Sequence, residues 1–117
     1  MKYVIREIPP SDNKFKGRKN HWEYRNEKKR WLDMAYDCIR PVPLSPLKKA
    51  DITITYFFPT RARHDPDNYS GKFILDMLTE RGVIADDSFG CIKLILRGDY
   101  DKENPRTEVE VKEKDDE

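Results

Sequence analysis

Long apolar runs are missing from this sequence, and no stretch approaches the ~20 residues that a membrane-spanning helix needs. The start, Met1-Lys2-Tyr3-Val4-Ile5-Arg6-Glu7, likewise lacks the apolar segment of a secretory leader, so a cytoplasmic protein is expected. Cysteine is scarce as well. Cys38 and Cys91 lie in apolar patterns without zinc-ligand spacing, which argues against a disulfide scaffold or a zinc module and leaves two thiols expected as small core residues. The five glycines form no Gly-rich phosphate loop, and the two histidines join no nucleophile–base pattern. Apolar residues make up only 37% of the chain and charged ones 38%, with a mean hydropathy of −0.92. A thin core under a densely charged surface is expected, of a kind that often completes its burial by dimerising. At 117 residues the chain is one domain, 1–117, whose last residues, 113–117, read as a frayed acidic tail.

What is abundant is charge, and it is unevenly placed. Between Lys14 and Arg30 eight basic residues stand against two acids, and from Asp99 onward nine acids stand against four bases. The basic third is interleaved with Phe15, Trp22, Tyr24 and Trp31, which fits a nucleic-acid surface and equally fits a solvated helix face with aromatic anchors.

Periodicity divides the chain into alternating elements. Lys2–Ile8 reads as a strand stopped by Pro9-Pro10-Ser11-Asp12-Asn13, and Lys14–His21 as a basic loop. Tyr24, Trp31, Ala35 and Cys38 recur at helical steps, predicting an amphipathic helix from Glu23 to about Ile39, ended by the stiff Pro41–Pro46 connection. The clearest strand is Ala50–Phe58, which carries β-branched or aromatic residues on both faces and is expected at the centre of a sheet. A second helix is predicted over Tyr69–Arg81, with Asp65 as N-cap, Pro66 at its first position, Gly82 past its end and a stripe of Phe73, Ile74, Met77 and Leu78. Strand-like Val83-Ile84-Ala85 follows, then strands over Cys91–Arg97 and Thr107–Lys112. The fold expected is α+β, a mixed sheet of about four strands with two main helices.

The chemistry gathers around that second helix. Asp65 and Asp67 stand at its start and Asp86 and Asp87 beyond its end, with Arg61 and Arg63 just before. Either pair alone is explained by capping or by a turn. Two pairs flanking one well-bounded helix point further, because aspartates from separate segments supply the hard oxygen ligands that Mg²⁺ or Mn²⁺ takes, and basic neighbours suit a phosphate as the remaining ligand. Lys72 lies four residues before Asp76, so it either assists at a phosphate or simply pairs with that acid. His64 adjoins the first pair and has ordinary structural explanations.

These blocks together resemble the RusA-type Holliday-junction resolvases, small dimeric endonucleases of prophages and phages. Pro9-Pro10-Ser11-Asp12-Asn13 resembles the family's Pro-Pro-Ser-x-Asn, Asp65-Pro66-Asp67-Asn68 its Asp-x-Asp-Asn, and Asp76-Met77-Leu78 with Gly82–Ser88 its helix end and Asp-Asp turn. The resemblance implies a Mg²⁺-dependent endodeoxyribonuclease, with Mn²⁺ as a possible substitute, that acts as a homodimer on four-way junctions in recombination and repair. It implies Asp65, Asp67 and Asp87 as metal-binding catalytic acids and Lys72 as the catalytic lysine. Asn13, Lys14, Lys16, Arg18, Lys19, Arg61 and Arg63 are expected on the DNA, and the protein in the cytoplasm of a bacterial cell or a phage-infected host. One departure is visible: Lys72 falls four residues after Asn68, where the family pattern has three. Two rivals fit the same residues, a non-catalytic DNA-binding or phage structural protein of this fold, and a metal-dependent enzyme acting on a smaller phosphate or nucleotide-sugar substrate.

Overall fold

Strands form where apolar and β-branched residues alternate, and helices where the apolar spacing lengthens to three and four. In the computed structural model, which describes residues 1–15 and 21–115, these are β1 (Lys2–Ile5), α1 (His21–Cys38), β2 (Ala50–Phe58), α2 (Lys72–Glu80), β3 (Ile92–Tyr100) and β4 (Arg106–Glu113). Short 3₁₀ turns occupy Asp12–Phe15 and Pro66–Asn68. The strands make one mixed sheet in the order β1-β4-β2-β3. β2 pairs with β3 in parallel, Ala50 opposite Ile92 and Phe58 opposite Tyr100, and antiparallel with β4, Ile54 opposite Val109. β1 closes the far edge against β4, with Tyr3 opposite Val109. No helix among the described residues is long and apolar enough to cross a membrane.

The core lies between one sheet face and the two helices. Ile52, Ile54, Tyr56 and Phe58 of the central strand are all buried, as are Phe73, Ile74, Leu75, Met77 and Leu78 of α2 and Trp31 and Ala35 of α1. Phe15, Tyr24, Trp31 and Phe73 form an aromatic cluster with ring centroids 5.5–6.3 Å apart, joining the first 3₁₀ turn to both helices.

Several boundaries differ from the sequence reading. β1 stops at Ile5 because the chain bends at Arg6-Glu7, where Arg30 Nη1 donates to the Glu7 carboxylate at 2.9 Å and Thr107 Oγ1 to the Glu7 carbonyl at 2.7 Å. α2 begins at Lys72 rather than Tyr69, and Asp65 and Pro66 open the 3₁₀ turn instead of the helix. Val83–Ala85 contributes only a parallel bridge of Ile84 to Leu47, and β3 runs on to Tyr100 because β2 offers partners to Phe58. Cys38 and Cys91 are half-buried free thiols rather than fully buried ones, Cys38 packing against the core; burial, Asp37 and Glu7 push the Cys38 thiol up.

Candidate active site

The loop leaving β2 is pinned by aromatic stacking before it delivers any acid. His64 lies flat on Phe58, centroids 3.7 Å apart and planes 3° from parallel, and Tyr69 meets both rings edge-on. His64 is therefore a spacer that holds the loop, the structural role its position allowed. Asp65 follows in extended conformation, half-buried, accepting a hydrogen bond from Arg63 Nε at 3.0 Å. Its backbone carbonyl accepts from Asn68 N–H at 3.0 Å, closing the turn that leaves Asp67 exposed to solvent.

Past this turn Gly71 adopts a left-handed backbone, φ +88°, and α2 starts. The 3₁₀ turn ends at Asn68, so of the residues four apart, Asn68, Lys72 and Asp76, only Lys72 and Asp76 lie on the helix. Lys72 sets its ammonium 4.5 Å from the centre of the Tyr24 ring, a cation–π contact with α1. One turn on, half-buried Asp76 faces Lys28 of α1, Nζ to Oδ2 3.9 Å. Burial pushes the Asp76 carboxyl above its ordinary range and the negative charge of Asp87 adds to the rise, while Lys28 and Lys72 oppose it. Lys72, Asp76, Lys28 and Asp87 thus form one electrostatic group.

The helix reaches Asp87 through a glycine stop. Gly82, φ +72°, donates to Thr79 O and Val83 N–H to Leu78 O, the paired bonds of a Schellman motif. Leu47 then grips the exit, its N–H on Val83 O and its carbonyl under Ala85 N–H, both at 2.9 Å. Asp86 Oδ1 accepts from Asp87 N–H at 2.9 Å and shapes the turn, leaving the Asp87 side chain exposed.

The two acidic pairs do not merge. Asp65 shares a hollow with Leu96, Arg97 and Gly98 of β3, and Asp87 a groove with Ile92, Lys93 and Leu94 of the same strand. Four residues along a strand at ~3.3 Å each separate the two hollows by about 13 Å. Among the described residues no three acids, histidines or cysteines stand close enough together to hold an ion. The acids fit Mg²⁺ or Mn²⁺ in donor chemistry; in spacing they remain two pairs.

Of the residues expected on DNA, Asn13 and Lys14 are exposed at the first 3₁₀ turn. Exposed Arg61 stacks its guanidinium 4.2 Å from the Tyr100 ring, and Arg63 is engaged with Asp65. Lys16, Arg18 and Lys19 lie outside the described residues. Sequence reasoning passed over Asp76 and Lys28 as site residues. The i,i+4 spacing to Lys72 marked Asp76, whereas Lys28 belongs to another helix and had no local signal.

No curated protein matches the chain. A family model does: residues 11–112 match endodeoxyribonuclease RusA, a span that takes in the Ser-x-Asn block, Asp-x-Asp-Asn, Lys72 and the Asp-Asp turn. The chain belongs to the RusA endodeoxyribonuclease family.

Proposed function

We propose that this protein resolves four-way DNA junctions as a homodimer, hydrolysing one phosphodiester in each of two strands with Mg²⁺ or Mn²⁺. The observation that carries the reading is the placement of Lys72, which follows the Asp65–Asn68 turn and shares one electrostatic group with Asp76 and Asp87. Asp65, Asp67 and Asp87 are the oxygen donors available to the metal, and the two pairs would have to draw together to share one ion, which would supply Lewis acidity to the phosphate and a more acidic water. The chain's own groups do the rest. Lys72, held over Tyr24, offers a cation to a phosphate oxygen, and Arg61 and Arg63 offer theirs to the DNA backbone. Arg63 neutralises Asp65 in the meantime, an exchangeable pair because the arginine side chain is 88% exposed. The dimer is supported by β3, an open sheet edge along which Ile92, Leu94 and Leu96 are only half-buried and beside which Phe89 is fully exposed.

A labelled synthetic four-way junction, with linear duplex as control, tests this in Mg²⁺ and in EDTA. Paired symmetric nicks confined to the junction and to metal are expected, and Asp67→Asn should lower their rate about 10²-fold or more. Junction binding that never proceeds to cutting in Mg²⁺ or Mn²⁺ would assign a DNA binder instead, with the acids reduced to turn formers.

A further inference from the structure

α2 begins without a side-chain cap of its own. The residue ahead of its glycine is held from a distant part of the chain: Ser70 donates both its backbone N–H, at 3.2 Å, and its hydroxyl, at 2.7 Å, to Oδ2 of Asp12. Asp12 opens the 3₁₀ turn that leads into the basic segment, and it occupies the unspecified position of the Pro-Pro-Ser-x-Asn block. Behind Ser70 there is no slack. A Cβ at Gly71 would lie 2.9 Å from Ile54 Cδ1 and 3.5 Å from Leu96 Cδ2, both on the strands beneath. The same carboxylate is felt by Tyr56 and Tyr69, where its charge adds to burial in pushing the phenols up.

We infer that Asp12 is a positioning residue for the reaction: by locking Ser70-Gly71 it sets the point at which α2 starts and hence the direction of Lys72. The lock accounts for the extra residue between Asn68 and Lys72. Tyr69, Ser70 and Gly71 take it up in a break between the 3₁₀ turn and the helix, and the lysine enters α2 one turn before Asp76. This role rests on the nuclease reading of Lys72.

Asp12→Asn, Asp12→Ala and Ser70→Ala separate positioning from charge. Asparagine keeps a carbonyl oxygen able to accept both Ser70 donors, so Asp12→Asn is expected to cleave a four-way junction within about threefold of the wild-type rate. Asp12→Ala is expected to lose about tenfold or more in single-turnover rate, with junction affinity in EDTA unchanged, and Ser70→Ala to fall between. Equal losses in the asparagine and alanine variants would overturn the inference, since Asp12 would then act through its charge. Amide hydrogen exchange from Ser70 to Phe73 reads the lock without catalysis. Faster exchange in Asp12→Ala supports it, and unchanged exchange overturns it. Faster exchange combined with an inactive wild type would keep the lock and sink the nuclease reading alone.

Discussion

A half-buried carboxylate between two lysines is poorly placed for stability and well placed for chemistry, and Asp76 shows the sign of that trade. Unfolded, its carboxyl titrates near the ordinary 3.8; folded, burial and Asp87 raise it. Between those two values the native state binds more protons than the unfolded chain, so stability falls as pH rises through the window and stays lower at neutrality. Asp76→Asn should therefore melt at a higher temperature than wild type at pH 7, with the advantage fading as the pH drops towards 3.8 and below, and should cleave junctions more slowly at pH 7. Thermal melts of both proteins from pH 3 to pH 8 check the first part; a variant less stable at every pH would mean that the Lys28 contact outweighs burial. At this scale the sequence was informative only over short distances. The Lys72–Asp76 pair was visible as an i,i+4 spacing, while Asp12 acts on Ser70 across 58 residues and Lys28 acts from another helix, relations that packing alone creates.

Among the elements, β2 was readable to the residue, because nine positions alternate without interruption and both neighbours pair along nearly its whole length. The start of α2 was not. Asp65-Pro66 is a sound helix-opening signal by local rules, but it opened a single 3₁₀ turn, because Gly71 takes a left-handed backbone that tucks against Ile54 and restarts the chain. Gly71 is therefore the hinge between the acidic turn and the lysine-bearing helix. Gly71→Ala combines a disfavoured positive φ with a 2.9 Å approach to a fully buried isoleucine, and should cost about 1–3 kcal/mol in denaturant melts with the m-value unchanged. A neutral result would show that Ile54 and the turn yield freely, and the register of Lys72 would then rest on Asp12 alone. The far end of the helix was legible, since a glycine past the last apolar residue is what a Schellman ending needs.

At the scale of the whole molecule, fold class was legible and strand order was not. Element types and number followed from periodicity; the order β1-β4-β2-β3, with one parallel pair, depends on which edges the helices cover, and single-sequence periodicity carries no such information. The helices cover one sheet face, and the acids expected on metal, Asp65 and Asp67 before α2 and Asp87 after it, all come from loops at the ends of that layer. On the proposed reading, a chain with one such set of acids would cut one strand per encounter, so paired cutting of a junction would require two chains acting together. Mixing wild type with excess Asp67→Asn, refolded together so that subunits exchange, makes this visible on a supercoiled plasmid that extrudes a cruciform. Coupled subunits predict that the mixture turns linear product into nicked circles, because each mixed dimer retains one competent site. Independent monomers predict a slower reaction with the ratio of linear to nicked product unchanged, and the open edge at β3 would then need another explanation than a second copy of this chain.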